Sequence, residues 1–336
     1  MRFSQCGGYD MEKTKLMVEM INLQAQVDDS CCGQRLDRVA VTCFQDFSRA
    51  RLQEWIKSGH LQVDGKVLKP GVKLRGGEQL KLAAEIEEDR QWEPEFIEFP
   101  IVYEDQDILI INKPAGLVVH PAPGHWSGTL LNGLLHYCPD LATIPRAGIV
   151  HRLDKDTTGL MVVAKTLQAQ THLVEQLQAR TVRREYETIV KGAIASDGTV
   201  DKPIARHPTQ RLRMAVVLGG KPAITHYKVM ERFTYHTYLH VKLETGRTHQ
   251  IRVHMSDMHH PLVGDELYNA RFHIPRECSK AMEGCLVHFR RQALHARRLG
   301  LIHPVSGQMM SWSADAPEDF KFLLRTLREE QKMMSV

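Results

Sequence analysis

Apolar residues in the first quarter of the chain recur at the spacing that predicts two short helices. They lie three or four positions apart from Leu36 to Phe44, and again within 49-RARLQEWIKSG-59, which places them on one face of a helix. Ser48 is a suitable N-cap for the second helix, and Gly59 is a suitable end. The segment LQVDGKVL follows, and its Asp-Gly pair predicts a hairpin turn.

Strand patterns dominate the chain beyond Ile101. One helix is predicted among them, LQAQTHLVEQLQAR, with Thr166 as its N-cap. Because few strands alternate with helices in a βαβ rhythm, we predict the α+β class. The larger domain should be a mixed, mostly antiparallel β-sheet with flanking helices, preceded by the small domain of two helices and a hairpin. The predicted strands are ILIIN, LVVH after a KPAG turn, LMVVAK, YETIVKG, ITHYKVME and TYLHVKLETG, with a hairpin in HPVSGQMMSW.

The acidic stretch 85-EIEEDRQWEPEFIEFP-100, which contains two prolines, marks the predicted domain boundary. Residues 85–98 hold seven acidic residues and one basic residue, which is typical of a solvated connector. Residues before Met20 are mostly polar and lack a clear pattern. We therefore predict a disordered extension (1–19), a small domain (20–84), a linker (85–99), a large domain (100–325) and a C-terminal tail (326–336).

Composition and cysteine usage exclude several classes of protein. The chain has 336 residues and a charged fraction of 25%, and no apolar run approaches a membrane span. There is no signal peptide pattern, so we expect a cytoplasmic protein. The 7 cysteines form no C-x-x-C pair, and the 18 histidines show no set of ligands at metal-binding spacing. No nucleotide-binding or H-E-x-x-H motif occurs, so neither a metal nor a cofactor is expected.

The net charge of +4 is unevenly distributed. Residues 180–257 hold 14 Lys and Arg against 7 Asp and Glu, which suits a polyanion-binding surface as well as an ordinary charged one. The small N-terminal domain also carries basic residues on its polar faces, where they suit binding to phosphates. Its candidate RNA-binding residues are Arg35, Arg38, Arg49 and Arg51.

The segment 151-HRLDKDTTG-159 is the first candidate for chemistry. Arg152 and Asp154 share one side of an extended chain, whereas Leu153 points the other way, into the core. A carboxylate beside a cation suits a nucleophile or base that stays ionised, although a polar turn explains an isolated HRLD equally well. A hydrolase pair of Asp154 and Asp156 is disfavoured, because two carboxylates on one turn do not flank a scissile bond.

Three further segments carry candidate residues. In 243-LETGRTHQIRVHM-255, Arg247 is a candidate RNA contact. His249 and Arg252 share one face of a helix that begins near Thr248, which suits a phosphate or a carboxylate partner. Tyr186 opens an apolar strand in RREYE, where a tyrosine is usually core or interface. Lys113 of NKPAG is a candidate phosphate contact, although this stretch also forms a plain turn.

Taken in order, these segments resemble a known family. INKPAGLVVHP, GIVHRLDKDTTGLMVVAKT, REYE, LETGRTHQIRVHM and HPLVGD resemble the RluA-type pseudouridine synthases. QRLDRVA, SRARLQEWIKSGHLQVDGK and GVKLRGGEQL resemble the S4 RNA-binding domain. The resemblance covers about residues 20–322, and the stretch 269-NARFHIPRECSKAMEGC-285 is less constrained by it.

The resemblance implies a role for each matching residue. Asp154 matches the catalytic aspartate, and Arg152 the arginine implicated in extruding the target uridine. Tyr186 matches the tyrosine that stacks on the target base. Arg252 matches the arginine that pairs with the catalytic aspartate, so that replacing it by Lys should impair the reaction. The implied reaction is the isomerisation of uridine to pseudouridine without cofactor or metal.

The implied partner is the large-subunit (23S) ribosomal RNA, with the helix 69 stem-loop as the expected site. Three alternatives remain open. The same reaction could act on another ribosomal or transfer RNA site. The chain could be a non-catalytic RNA-binding factor in ribosome assembly. A phosphate-ester or glycosidic hydrolase is also conceivable, but its expected metal ligands are missing from the sequence. We expect a monomer with no membrane association.

Overall fold

The structure is a computed structural model that describes residues 18–44, 47, 49–87, 92–121, 126–269, 274–275 and 277–334. The chain forms two compact units, residues 1–91 and 92–336. Among the helices described, none combines the length and apolar character needed to cross a bilayer. The predicted cap Ser48 and nearly all of the predicted N-terminal extension lie outside the described residues.

The N-terminal unit is a three-stranded antiparallel sheet packed against two helices. The strand order is β1-β3-β2, and an apolar core that includes Leu36, Leu52 and Leu80 is fully buried. The elements are β1 (Val18–Gln26), α1 (Leu36–Cys43), α2 (Arg49–Ser58), β2 (Leu61–Val63) and β3 (Gln79–Glu87).

Two predictions for this unit need correction. Strand β1 begins at Val18, inside the predicted disordered extension, because it pairs along its whole length with β3. The predicted hairpin is reduced to a tight turn, because the arm after Gly65 makes only an isolated bridge from Lys66 to Val63. Asp64 and Gly65 both have positive φ, of 48° and 73°, as a hairpin turn of the Asp-Gly kind requires.

The described part of the larger unit has eleven strands, and nine of them form one sheet with helices packed against it. The strands are β4 (Ile101–Glu104), β5 (Ile108–Lys113), β6 (Thr158–Ala164), β7 (Arg183–Lys191), β8 (Gly198–Asp201), β9 (Ile204–Arg206), β10 (Met214–Val216), β11 (Ile224–Arg232), β12 (His236–Leu243), β13 (Leu294–Ile302) and β14 (Met309–Ser313). The helices are α3 (Leu130–Tyr137), α4 (Leu167–Gln178), α5 (Gln250–Asp257), α6 (Lys280–His288) and α7 (Glu318–Met334).

The sheet confirms the α+β class with mostly antiparallel strands. Its order is β4-β5-β6-β13-β7-β12-β11-β8, with β14 beside β13, while β9 and β10 form a separate ribbon. The β6–β13 pair is parallel. Every residue of β6 is buried, which places this strand at the centre of the core and the turn before it at the edge of the sheet. The predicted helix after Thr166 is confirmed as α4, and the Thr166 side chain accepts a hydrogen bond from the Ala169 N–H.

Three predictions for the larger unit are wrong. LVVH is not a strand: Val118 makes a single bridge to Thr129, and the backbone carbonyls of the segment accept N–H groups at the start of α3. Residues 92–99 of the predicted linker are not a solvated connector, because Ile97 and Phe99 pack against the main core. The predicted tail from residue 326 is part of α7, whose Leu327 is buried against the neighbouring helix and sheet.

Candidate active site

The turn that carries Asp154 is fixed by hydrogen bonds to its backbone and to the Thr157 side chain. The Arg291 guanidinium donates to the Asp156 carbonyl at 3.3 Å, and the Gln292 amide donates to the Thr157 hydroxyl at 3.1 Å. Leu153 is buried in the core, as predicted, while Arg152 is exposed. The Asp154 side chain is therefore presented outward from a turn whose backbone is held by distant parts of the chain.

Lys113 is the main support of this turn, and its prediction as an RNA contact is wrong. The side chain is 0% exposed. Its Nζ donates to the carbonyls of Pro114 at 2.7 Å, Leu117 at 2.9 Å and Lys155 at 2.8 Å. Burial lowers the pKa of Lys113 to about 8, although the nearby charges of Asp156 and Asp154 oppose the shift. The ammonium ties the turn after β5 to the Asp154 turn and does not face RNA.

Replacing Lys113 by methionine should destabilise the protein and reduce its activity. The substitution keeps the length of the side chain but leaves one buried and two partly buried carbonyls without this donor, at a cost of about 1–3 kcal/mol. Urea unfolding at pH 7 measures this loss, and Lys155→Met is the matched control because the Lys155 side chain is exposed. Equal stability of the Lys113→Met variant and the wild type would refute the supporting role.

The pH dependence gives a second check on Lys113. Its pKa of about 8 in the folded protein lies below the ordinary lysine value of about 10.4. Between these values the unfolded chain binds more protons than the folded one. The free energy of unfolding therefore gains from rising pH in this window. The Lys113→Met variant should lack that gain, whereas Lys155→Met should keep it.

Arg252 joins two carboxylates at the centre of the site. Its Nη1 donates to Asp154 Oδ2 at 2.8 Å, and its Nε and Nη2 donate to the two oxygens of Asp265 at 2.7 and 2.9 Å. Burial opposes the charge on Arg252, but hydrogen bonds and charge from Asp265, together with those of Asp154, outweigh it and raise the guanidinium pKa. Asp265 thus fixes the arginine, and the arginine fixes Asp154. The helix that carries Arg252 begins at Gln250, two residues later than predicted.

Tyr268 and His249 complete this network. The Tyr268 ring lies under the Arg252 guanidinium, 5.0 Å from it. Its hydroxyl accepts from the Met214 N–H at 2.8 Å and lies 2.8 Å from His249 Nδ1. When the hydroxyl donates to Nδ1, the proton of a neutral ring lies on Nε2, 3.8 Å from Asp154 Oδ1. Burial lowers the pKa of His249, in keeping with that neutral form.

The backbone at His249 is unusual for a residue with a side chain. Its φ is 56°, in the left-handed region, where non-glycine residues are uncommon and often belong to functional sites. The conformation directs the imidazole toward Asp154 just before helix α5 begins. The sequence pattern places His249 and Arg252 on one helical face but indicates no role for Asp265 or Tyr268. The HPLVGD motif was the only sequence signal that pointed to Asp265, and no quoted motif contained Tyr268.

Asp154 lies in a cleft of about 850 Å³ that gathers five of the six site residues predicted in the larger unit. Arg152, Tyr186, Arg247 and Arg252 all line it. Tyr186 is buried in the main core. The cleft is strongly basic, because six arginines and two acidic residues line it: Arg146, Arg152, Arg180, Arg184, Arg247 and Arg252 against Asp154 and Glu244.

Two imidazoles that line the cleft, those of His120 and His151, are neutral at ordinary pH. Burial, followed by the charges of Arg146 and Arg152, lowers the pKa of His120 to about 4. His151 is likewise held neutral at ordinary pH: its pKa is lowered to about 3, mainly by burial and also by Arg184. Its Nε2 accepts a hydrogen bond from the Val162 N–H at 3.2 Å. The imidazoles at the turn therefore add no positive charge, and arginines supply it.

The predicted RNA-binding arginines of the N-terminal unit differ in their contacts. Arg35 and Arg49 both bind the buried Asp37, at 2.9 and 2.8 Å, and lower the pKa of its carboxyl against the opposing effect of burial. Arg51 lies over the Trp55 ring at 5.4 Å. Arg38 is exposed on α1. Arg35 and Arg49 therefore stabilise the unit, and their solvent-facing atoms are still free to meet a phosphate.

One group of residues in the described part of the chain has the spacing of metal ligands: Asp105, Asp107 and His303. Internal hydrogen bonds explain it. Asp105 accepts from the backbone of Asp107 and Ile108 and lies 3.0 Å from His303 Nε2. His303 Nδ1 accepts from two backbone N–H groups, so its proton lies on Nε2 and points at Asp105. The arrangement is a structural hydrogen-bonded corner.

A mixed sheet with an arginine-lined cleft and an aspartate held by arginine suits an enzyme that acts on a polyanion such as RNA. Residues 107–257 of the chain match the RNA pseudouridylate synthase family, and residues 34–80 match the S4 domain. With the sequence identities given below, these matches show that the chain belongs to the RNA pseudouridylate synthase family.

Its relatives include two curated bacterial proteins. The chain is 58% identical over 316 residues to ribosomal large subunit pseudouridine synthase D of Pseudomonas aeruginosa, covering 94% of this chain and 99% of that protein. It is 55% identical over 315 residues to the protein of the same name from Escherichia coli K12, covering 94% and 97%. The solved structure of human RNA pseudouridylate synthase domain containing 4 is 27% identical, with a TM-score of 0.54 over 68% of this chain and 93% of that one.

Proposed function

We propose that this enzyme converts specific uridines of the large-subunit ribosomal RNA to pseudouridine, with Asp154 as the catalytic residue. The observation that carries the proposal is the chain of contacts from Asp265 through Arg252 to Asp154 at the floor of a basic cleft. The names of its relatives support the substrate class. The helix 69 stem-loop is the target that the sequence resemblance favours.

The target base must first leave the RNA stack, at a cost of roughly a few kcal/mol. Arg152 is exposed at the cleft, where its guanidinium is able to occupy the vacated position or bind a phosphate. Tyr186 lies in the wall of the same cleft, and its aromatic ring offers a face on which the extruded uracil stacks. Arg247 adds a further cation to the lining of the cleft. Arg152 and Tyr186 therefore act on the position of the base, and Asp154 on its bonds.

The reaction rearranges one nucleotide and balances without a co-reactant. The N1–C1′ bond breaks, the uracil turns, a C5–C1′ bond forms, and the hydrogen on C5 leaves as a proton while N1 gains one. Asp154 either attacks the nucleotide covalently or removes a ribose proton. In both routes its oxygen must keep a fixed direction, which the Arg252 hydrogen bond to Oδ2 provides. His249 Nε2, at 3.8 Å, faces the other oxygen.

We further propose that the N-terminal unit holds the RNA through phosphate contacts, that the enzyme acts as a monomer in the cytoplasm, and that it needs neither metal nor cofactor. The match to the S4 domain supports the first point. The balanced isomerisation supports the last, because no electrons or groups are exchanged with a second molecule. Activity that a chelator removed and zinc restored would contradict a metal-free reaction.

Removing phosphate contacts from the N-terminal unit should weaken RNA binding and its dependence on salt. We expect the double substitution Arg38→Gln and Lys57→Gln to lower the slope of log K against log salt by about 1–2, since each lost contact is worth about 0.7–0.9. Both side chains are exposed. Unlike Arg35 and Arg49, neither is paired with Asp37. Filter binding across a salt series measures the slope, and the single-turnover rate at saturating enzyme should be unchanged.

The matched control for this prediction is Arg325→Gln, which removes one exposed positive charge from α7 in the other unit. Its salt slope should equal that of the wild type. If the double variant and the control both keep the wild-type slope, the N-terminal unit does not bind the substrate.

The substrate is tested with large-subunit ribosomal RNA fragments whose uridines carry tritium at C5. Isomerisation releases that hydrogen to water, whereas binding alone does not. We expect release from fragments that contain helix 69, and mapping of the modified positions then identifies the target. Release from other ribosomal fragments or from transfer RNA alone would contradict the proposed site. Tight binding without release from any RNA would favour the assembly-factor alternative.

A further inference from the structure

Arg184 is a buried arginine without an acidic partner. Its side chain is 7% exposed, and within the residues that the structure describes it forms no ion pair with a carboxylate. Its Nη2 donates to the Glu244 backbone carbonyl at 3.1 Å, and its buried Nε has no hydrogen-bond acceptor. Buried arginines are almost always paired. An uncompensated guanidinium in the wall of a cleft is therefore a position prepared for an anion that arrives with a ligand.

The absence of a side chain at Gly246 leaves space for the Arg184 guanidinium. A Cβ atom added at Gly246 would lie 2.5 Å from Arg184 Nη1, so any other residue would displace this end of the side chain. Both residues line the cleft. In the described part of the chain, Nη1 has no acceptor, whereas Nη2 is held by Glu244. The free Nη1 of Arg184 thus lies on the side toward Gly246.

The Glu244 side chain, one of the two acidic groups in the cleft, does not neutralise Arg184. The Glu244 carboxylate is directed to His226 Nε2 at 2.7 Å and to Arg180 Nη1 at 3.7 Å. Arg180 lines the same cleft and has a left-handed backbone, with φ of 60°. Arg180 and Arg184 therefore place two guanidinium groups on one wall, with Glu244 shared between Arg180 and a histidine.

The position of Arg184 relative to Tyr186 indicates which anion it meets. The two residues are two apart on β7 and both are buried. Residues two apart on a strand point to the same side and lie about 7 Å from each other. If the extruded uracil stacks on Tyr186, its own backbone comes within reach of Arg184. Phosphate is the anion that this backbone carries, and a guanidinium is well suited to bind it.

We propose that Arg184, with Arg180 beside it and Gly246 making room, forms a subsite for a phosphate adjacent to the extruded uridine. The proposal rests on the proposed function, because it assigns the anion to the RNA substrate. The subsite fixes the backbone on one side of the target nucleotide, while Asp154 acts on its sugar and base. Arg184 is accordingly a binding residue, distinct from Arg152, which is exposed and acts on the vacated stack.

The test is a double-mutant cycle between the protein and the RNA. Binding is measured in an Asp154→Asn background, with stem-loops in which a single linkage on the 5′ or the 3′ side of the target uridine is a neutral methylphosphonate. With Arg184 present, one of the two neutral linkages should weaken binding about tenfold, the value of a charge-assisted hydrogen bond. In the Arg184→Gln variant, making the same linkage neutral should weaken binding by less than about twofold.

Two further variants make the test specific. Arg183→Gln removes the neighbouring, exposed arginine of the same strand, and its effect should be the same for neutral and charged linkages. Gly246→Ala adds only the Cβ that meets the flexible end of Arg184. It should therefore fold normally and reproduce the loss of coupling. This variant keeps the test valid if Arg184→Gln does not fold.

The subsite is wrong if neither linkage shows coupling to Arg184 or Gly246 while wild-type enzyme releases tritium from the unmodified stem-loop. Coupling of equal size to Arg183 would also overturn it, because a general electrostatic field would then explain the effect. Absence of tritium release by the wild type counts against the proposed function itself. The two failures are therefore distinguishable.

Discussion

Asp154→Asn should abolish pseudouridine formation while leaving RNA binding within about threefold of the wild type. The asparagine keeps the size of the side chain but offers neither a nucleophilic oxygen nor a base. We expect the single-turnover rate to fall by about 10⁴-fold or more, as for other residues that act directly on the reacting bonds. The rate is measured by tritium release, and binding by filter retention of the same RNA.

Asp156→Asn is the matched control for this prediction. Asp156 lies two residues further along the same turn, but its backbone carbonyl, not its carboxylate, is the group held by Arg291. Its activity should stay within about threefold of the wild type. An active Asp154→Asn enzyme, or equal losses in both variants, would contradict the assignment of Asp154. Full function in the cell without Asp154 would instead support the assembly-factor alternative.

Arg252→Lys is expected to lower the single-turnover rate by about 10²- to 10³-fold and also to destabilise the protein. A lysine keeps the charge but not the planar fork. One ammonium cannot reproduce the bidentate pair with Asp265 and the separate contact with Asp154. The buried Asp265 then lacks part of its compensation, at a cost of about 1–3 kcal/mol. Tritium release measures the first effect and urea unfolding the second.

Arg213→Lys is the control that separates the ion pairs of the Arg252 guanidinium from its contact with the Tyr268 ring. The Arg213 guanidinium lies over the same Tyr268 ring, 5.2 Å from it, but no ion pair joins it to a carboxylate in the described residues. We expect this control to keep the wild-type rate to within about threefold. If Arg252→Lys is as active as the control, the link from Asp265 to Asp154 is not needed for the reaction.

The local elements of the larger unit were predictable because their signals are contained in short segments. The Thr166 cap, the buried strand after the Asp154 turn and the hairpin that joins β13 to β14 all follow from neighbouring residues. The outward direction of Asp154 and the inward direction of Leu153 also follow from the alternation of an extended chain. The ion pair of Asp154 with Arg252 was an implication of the family resemblance, and the two residues do lie in contact.

Features that depend on distant parts of the chain were not predictable. Lys113 has the sequence context of an exposed turn, and only the carbonyls gathered by the fold around its Nζ explain its burial. Strand β1 mixes apolar and polar residues without a strict alternation, and its pairing with β3, about 60 residues later, defines it. Asp265 and Tyr268 acquire their roles from a loop that returns to α5. In each case the determining contact joins two distant segments, and the residue pattern of neither segment predicts that contact.

The most direct test of the central claim is a nucleoside analysis of a helix 69 stem-loop RNA after reaction with the purified enzyme. Isomerisation predicts that pseudouridine appears in the digest in the amount by which uridine falls, with no free uracil, and that Asp154→Asn gives none. Free uracil with an abasic strand would instead identify a hydrolase. Unchanged uridine, despite tight binding, would contradict the catalytic role assigned to the cleft around Asp154, Arg252 and Asp265.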